Sequence, residues 1–365
     1  GRMAIVGGGI AVSVVNIVMF SGVGAMSEDL KRGVYTDIYQ MALVIPIISV
    51  AGVVMAGLLK RIRARRYREL GLSDERFIAG KDRNRPPIQP NWWILGGSLV
   101  FVLFTLVLGL SQVPYNQEIV LAGSLAIVLF LMAKLLKELS PSARRSLVGT
   151  AIVIFVFRAL PGPGAGATWW QIDTLGFDQQ FMSMLSLIGG GLALLGMFIF
   201  RRFMAEKSIA YVVAFLTLAG SVLSLPIIGM YYGLHDWTAA LTNGLVDARF
   251  IAVVDTALES PLGQVAMIPM LAWIANSAPP HLKATFFAVM ASFTNLALSL
   301  SNLGTKYLNQ IFTISREIPD LQSGAVTTPA DYSALGVLLI SVTCIGLLLP
   351  MLTIWFVQRS PLRSA

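Results

Sequence analysis

Residues 92–111 read WWILGGSLVFVLFTLVLGLS, and residues 117–137 read QEIVLAGSLAIVLFLMAKLLK. Each stretch is predominantly apolar over about 20 residues, the length of helix that crosses a hydrocarbon core ~30 Å thick. The apolar residues run continuously instead of alternating with polar ones, so helices are favoured over strands. These two stretches therefore predict membrane-spanning helices.

The rest of the chain has the same character. Of its 365 residues, 56% are hydrophobic and 13% are charged, whereas soluble domains carry roughly 25% charged residues. This composition excludes a soluble protein and predicts an all-α polytopic membrane protein. About ten spans are predicted, at residues 3–25, 36–59, 92–111, 117–137, 146–160, 181–200, 208–232, 248–276, 283–312 and 332–357.

The distribution of lysine and arginine predicts the orientation of these spans. Ten of the 32 residues at 60–91 are basic, and most other basic residues lie in alternate connections on the same side. Basic connections face the cytoplasm, so an even number of spans places both ends of the sequence there. Residues 60–70 are the best candidate for an amphipathic stretch at the membrane surface.

Several kinds of site are excluded by composition. Cys344 is the single cysteine, and with His235 and His281 it makes no plausible zinc site. No phosphate-binding GxxxxGK[ST] motif, nucleic-acid motif or nucleophile–base pair is recognisable. We therefore expect no metal, no cofactor, no nucleic-acid partner and no enzyme activity.

Ionisable residues inside predicted spans are the strongest functional candidates, because each costs about 2.5–3.5 kcal/mol unless it faces a cavity or a partner. Arg158 either reaches the membrane surface or binds an anionic group in a cavity. Asp255 and Glu259 lie four residues apart, on one helix face. They either line a proton-coupling site, with Asp255 the stronger candidate, or are hydrated near the end of the span.

Polar and aromatic residues near these charges are candidates for substrate binding. Gln264 and Asn295 lie in otherwise apolar spans, where bonding between helices explains them equally well. Trp169 and Trp170 either stack on a flat ligand or anchor the chain at the membrane surface.

Glycine and proline indicate where helices break or approach closely. Residues 161–167 contain two prolines and three glycines and cannot form a regular helix. Unwound backbone in a membrane must contact protein or water, and broken helices line transporter binding sites; an ordinary turn outside the membrane explains the same residues. The glycines at 7–9, 189–191 and 196 predict close helix contacts.

A family resemblance is visible in the second half of the chain. Residues 161–177 end in LGF, and the glycine-rich span after them ends in RRF at 201–203. Further along, Asp255 precedes GQVAMIP at 263–269, PP at 279–280, ATFFA at 284–288 and NL at 295–296. Over residues 145–357 these segments resemble helices of the folate/biopterin (BT1-like) transporter family of the major facilitator superfamily. The resemblance implies a helical bundle that moves a small solute.

Departures from the family pattern bear on the solute. Gly164 and Lys283 stand where family members carry acids, and Arg158 stands where they have an uncharged polar group. The loss of an acid and the gain of an arginine favour a ligand whose charge differs from that of the family's usual solutes. Pterin or folate transport is therefore what the family implies, with another organic anion as the alternative.

Ten spans differ from the family's twelve, so we expect N-terminal helices to be missing. In the favoured arrangement, residues 1–59 are two spans of an incomplete N-terminal bundle and residues 60–91 are the basic cytoplasmic linker. Residues 92–140 are then an inserted hairpin, and residues 141–365 are the C-terminal six-helix bundle. In the other arrangement the chain holds the third to twelfth helices.

The leading functional prediction is a secondary transporter of a pterin-like, folate-like or other anionic solute, working by alternating access and driven by protons as a symporter. We expect it in the bacterial plasma (inner) membrane. The alternative is a non-transporting scaffold or assembly subunit of a larger membrane complex. In that case the hairpin at 92–137 would be the surface that docks membrane-protein partners.

Overall fold

A computed structural model describes residues 2–20, 33, 36–38, 40–41, 43–69, 92–111, 113–263, 265, 268–270, 272–273, 283–319 and 326–363. The chain divides into two compact units. One contains residues 14–90, and the other contains residues 1–13 and 91–365.

The smaller unit contains one complete long helix and the end of another. Helix α1 (Arg2–Phe20) crosses the boundary between the units, and helix α2 (Val44–Glu69) lies within the smaller one. The sequence predicts a span that stops at residue 59, but α2 continues to Glu69 through the first basic residues of the predicted linker. Arginine has high helix propensity, so the change from apolar to basic residues does not end the helix.

The larger unit holds the remaining described elements. They are α3 (Trp92–Gly109), α4 (Asn116–Leu136), α5 (Pro141–Arg158), α6 (Ala165–Asp173), α7 (Gln179–Ile199), α8 (Arg201–Glu206), α9 (Ile209–Leu223), α10 (Leu225–Tyr231), α11 (Leu234–Leu241), α12 (Ala248–Glu259), a 3₁₀ turn (Ser260–Leu262), α13 (Lys283–Ile311), β1 (Ile318–Pro319), β2 (Val326–Thr328) and α14 (Leu335–Arg359).

Six helical segments among the described residues are long and apolar enough to cross a membrane: Trp92–Gly109, Asn116–Leu136, Gln179–Ile199, Ile209–Tyr231, Thr285–Ile311 and Leu335–Arg359. The all-α membrane fold is thereby confirmed, whereas the count of about ten spans is not. Helix α5, which covers the predicted span at 146–160, is not among the six and carries three arginines. Within the predicted span at 248–276, α12 ends at Glu259 and a 3₁₀ turn containing Pro261 follows it, so the described part of this span is not one continuous helix.

The two largest of three apolar clusters among the described residues hold most helices of the larger unit together. The first lies among α4, α5, α9 and α13 and includes Leu131 and Met290. The second lies among α6, α7, α10, α12 and α14 and includes Trp170, Met230 and Leu338. Lipid is as apolar as these side chains, so close van der Waals contact, more than exclusion of water, favours helix association here.

Helices α3 and α4 form a hairpin that contacts the rest of the unit through α4. No described residue of α3 is buried, whereas α4 packs against α13. The Glu118 carboxylate at the start of α4 accepts hydrogen bonds from Lys306 Nζ (2.9 Å) and the Tyr307 hydroxyl (2.7 Å) near the end of α13. The hairpin is therefore held to α13 by charge as well as by apolar contact.

A second ion pair joins α6 to the connection between α13 and α14. Arg316 donates two hydrogen bonds to the Asp173 carboxylate, at 3.0 and 2.8 Å, and the Tyr332 hydroxyl donates a third. The same connection contains the antiparallel pair β1–β2, which the sequence did not predict. The hydrogen bonds of Asp173 fix the end of α6 against the start of α14.

Candidate functional site

A cavity of about 350 Å³ lies among α5, α9, α13 and the 3₁₀ turn that follows α12. Most of its walls are apolar, and they include Phe157, Val212 and Leu298. Two charged residues, Arg158 and Glu259, also line it. An apolar cavity with a few charged groups is the usual form of a small-molecule site.

Arg158 is the last residue of α5 and is held against α13. Its Nε donates a hydrogen bond to the Thr294 carbonyl oxygen of α13 (3.2 Å). One turn earlier, the ring of Phe155 stacks on Phe293 at 4.7 Å between centroids. The guanidinium thus has a defined place at the cavity wall, where it can bind a carboxylate or phosphate.

Glu259 is the last residue of α12. Asp247 caps the start of this helix by accepting a hydrogen bond from the Phe250 amide (2.8 Å). At the other end, the Ser260 hydroxyl donates to the Thr256 carbonyl (2.6 Å), and Pro261 has no amide hydrogen to continue the helix. The helix end thus places an acid at the cavity, directly before the 3₁₀ turn.

Asp255 lies one turn before Glu259 but is not among the described residues that line the cavity. Its side chain is half-buried, and its Oδ1 is buried with no hydrogen-bond partner among the described residues. A buried carboxylate oxygen without a partner is costly when charged.

Glycines of α7 let this helix approach the break closely. A side chain added at Gly196 would begin 2.6 Å from the Pro261 Cα, and one added at Gly189 would begin 3.0 Å from the Ser260 Oγ. The predicted close contacts at these glycines are confirmed. At Gly7, Gly8, Gly9 and Gly191, an added Cβ would meet no atom of the described residues within 4 Å, so these four glycines show no close contact there.

The Pro/Gly segment at 161–167 is unwound as far as Gly164, where it contacts protein, but its last three residues begin α6. Residues 159–164 connect α5 to α6 without helical structure, and Gly164 has a φ of 77°. Three α13 side chains, those of Ser301, Thr305 and Asn309, bond to this backbone. Sequence reasoning missed them, although their spacing of four residues places all three on one helix face.

Of the other predicted binding residues, none that the structure describes lines the cavity. Trp170 is buried in the second core, with its ring 5.7 Å from that of Tyr231. Trp169 and Asn295 are not among the described lining residues, and Asn295 is exposed. Gln264 lies outside the described residues. A substrate-binding role for these four residues stays a prediction.

Comparison with known proteins identifies the family. A model of the BT1 family matches residues 17–363. The chain belongs to the BT1 family. The resemblance predicted from residues 145–357 is thus confirmed over almost the whole chain, and the protein is an integral membrane protein.

Two relatives of this BT1-family protein illustrate the similarity. The folate-biopterin transporter of Synechocystis sp. is 25% identical over 158 residues, which are 43% of this chain and 31% of that protein. Folate transporter 2 of Plasmodium falciparum is 24% identical over 218 residues, which are 54% of this chain and 45% of that protein. This chain therefore aligns with less than half the length of either relative. No solved structure matches it.

Proposed function

We propose that this BT1-family protein is a secondary transporter of a pterin-like or folate-like solute, or of another organic anion of that size. The cavity that contains both Arg158 and Glu259 carries the proposal, because it offers an anion-binding group and an acceptor for N–H donors within apolar walls. The family and the names of its two relatives support transport over an enzyme activity.

The roles of the charged residues follow from their chemistry. Arg158 would bind a carboxylate of the solute, because a guanidinium pairs with a carboxylate through charge-assisted hydrogen bonds. Asp255, and secondarily Glu259, would exchange the proton that couples solute movement to the gradient. Alternating access then comes from rocking of helical bundles around the bound solute.

The bacterial plasma membrane is the location that we propose. The basic connections support an orientation with both ends of the sequence in the cytoplasm. They also support residues 60–91 as the cytoplasmic linker between two bundles. In this arrangement residues 1–59 belong to the N-terminal bundle, and the hairpin of α3 and α4 precedes the bundle at 141–365.

Uptake by the purified full-length protein in proteoliposomes tests the role of Arg158. Replacing Arg158 by alanine should raise the KM for folate about tenfold or more, because hydrogen bonds to a charged group contribute roughly 1.5–3 kcal/mol. Arg158→Lys should raise the folate KM less than Arg158→Ala does, because lysine keeps the positive charge although it lacks the planar guanidinium. Arg201→Ala, an exposed arginine of α8, is the matched control.

Two outcomes would contradict the proposal. A folate KM in Arg158→Ala equal to that of Arg201→Ala would remove Arg158 from the binding site. Absence of folate, pterin and organic-anion uptake by the wild-type protein, together with membrane proteins that co-purify with it, would favour the scaffold alternative.

A further inference from the structure

The backbone that follows Arg158 has amide and carbonyl groups that lie outside helices and so lack the hydrogen bonds of a helical backbone. Helix α5 ends at Arg158 and α6 begins at Ala165, so the carbonyls of Leu160 and Pro163 and the amide of Gly162 lie between helices. Polar backbone groups inside a membrane need protein or water partners, because leaving them without hydrogen bonds costs several kilocalories per mole each.

Side chains of α13 supply one partner for each of these three groups. The Ser301 hydroxyl donates to the Leu160 carbonyl. The Gly162 amide donates to Thr305 Oγ1 at 2.9 Å, and Asn309 Nδ2 donates to the Pro163 carbonyl at 3.3 Å. Thr305 Oγ1 also donates to the Ser301 carbonyl of its own helix (3.0 Å), so its hydroxyl both accepts and donates a hydrogen bond.

Glycines make this contact close. A side chain added at Gly304 would begin 3.3 Å from the Pro161 Cβ, and one added at Gly164 would begin 2.8 Å from Asn309 Nδ2. The positive φ of Gly164 turns the chain into α6 at this point. The unwound segment and α13 therefore fit one another in shape as well as in hydrogen bonding.

The same helix also holds the guanidinium of Arg158. Arg158 Nε bonds to the carbonyl of Thr294, two turns before Ser301 on α13. Helix α13 consequently bonds to Arg158 itself and to three of the six residues that follow it. We propose that Ser301, Thr305 and Asn309 are positioning residues that set the orientation of Arg158 at the cavity wall.

This inference rests on the proposed function, because it takes Arg158 to be the residue that binds the solute carboxylate. If the bonds to residues 160–163 are lost, this backbone must find other partners, and the end of α5 shifts with it. The consequence for transport is specific. Binding of a solute carboxylate should weaken, while binding of the rest of the solute should not.

Replacement of Thr305 by valine tests this directly, because valine keeps the shape of threonine and removes the hydroxyl. In proteoliposomes we expect the folate KM to rise about threefold to tenfold, the effect of one hydrogen bond. Vmax should be unchanged, and so should the KM for biopterin, which has no carboxylate. Thr305→Ser should restore the wild-type folate KM.

Thr353→Val in α14 is the matched control. The hydroxyl of Thr353 bonds to the Leu349 carbonyl of its own helix at 2.7 Å, so this variant loses a bond within one helix and leaves the contact between α5 and α13 intact. If Thr305→Val fails to fold, Ser301→Ala and Asn309→Leu each remove a single bond to the unwound segment and should give the same folate-selective rise in KM.

A double-mutant cycle separates this inference from the proposed function. If Thr305 acts through Arg158, Thr305→Val should add little to the folate KM of Arg158→Ala. Additive effects of the two substitutions on the folate KM, or equal rises in KM for folate and biopterin, would overturn the positioning role. Neither result would contradict the proposed function. A wild-type folate KM in Arg158→Ala would overturn the proposed binding site.

Discussion

Gly191 and Gly196 of helix α7 lie in different surroundings although they are five residues apart. A methyl group at Gly196 would collide with backbone atoms of Pro261, which cannot rotate away as a side chain can. A methyl group at Gly191 would meet no atom within 4 Å. Gly196 therefore has a role in helix contact that Gly191 does not have.

Alanine at these two positions should change stability in opposite directions. Gly196→Ala should destabilise the protein by about 1–3 kcal/mol through overpacking. Gly191→Ala should stabilise it by roughly 0.4–1 kcal/mol, because alanine restricts the unfolded chain and favours helix. Thermal unfolding of the two purified variants beside the wild type measures both effects. Equal unfolding midpoints for the two variants would contradict the contact with Pro261.

Individual residues also show what a sequence can reveal about the candidate site. Arg158 and Glu259 were predicted because a charge inside an apolar stretch is costly and needs a reason. Thr305 was missed because a threonine hydroxyl in a helix commonly bonds to its own backbone, as Thr305 does. Its second bond reaches Gly162, 143 residues earlier. Only the fold brings these two residues together.

Among the structural elements, helix α6 is held by charge at its C-terminal end. Burial raises the pKa of Asp173, but hydrogen bonds from Arg316 and Tyr332 and the positive charge of Arg316 outweigh it and hold the pKa below its usual value. Burial and the hydrogen bond to Asp173 raise the pKa of Tyr332 to about 12. Its hydroxyl therefore remains a donor at physiological pH.

The depressed pKa of Asp173 predicts the pH dependence of its contribution to stability. A carboxylate with a lowered folded-state pKa stabilises the fold above its unfolded-state pKa of about 3.9, and this stabilisation is lost as pH falls through the folded-state value. Asp173→Asn should therefore lower the unfolding midpoint by a constant amount above about pH 5. The difference from the wild type should shrink on further acidification.

Asp247→Asn is a suitable control, because asparagine still caps α12. A difference between Asp173→Asn and the wild type that persisted undiminished below pH 3 would contradict this account of the Asp173–Arg316 pair.

The limits of prediction differ between elements. Long apolar runs predicted α3, α4, α7 and α14 well, because length and composition alone specify a membrane helix. The break after α12 was missed, although Pro261 was visible in the sequence, because its neighbours are apolar enough to continue a span. The strands β1 and β2 were also missed, since a pair this short depends on the helices that bring its ends together.

For the molecule as a whole, the proposed coupling of solute to protons makes one test decisive. Asp255→Asn removes the ability to release a proton while keeping the side-chain shape. We expect gradient-driven accumulation to be abolished and exchange of labelled for unlabelled solute to be spared, because exchange needs no net proton movement. Both are measured in proteoliposomes across a pH series.

Asp236→Asn, at an exposed acid of α11, should leave accumulation and exchange at wild-type levels. Uptake by Asp255→Asn with the pH dependence of the wild type would exclude Asp255 as the coupling group.

The ion pair between Glu118 and Lys306 has a consequence for biogenesis. The two residues are 188 positions apart, and at ~5–20 residues per second the ribosome needs about 10–40 s to cover that distance. During most of this interval the hairpin of α3 and α4 is already synthesised, but Glu118 has not yet met Lys306. Docking of the hairpin is therefore a late step of assembly, and a truncated chain that ends before α13 would present this carboxylate to membrane quality-control proteases.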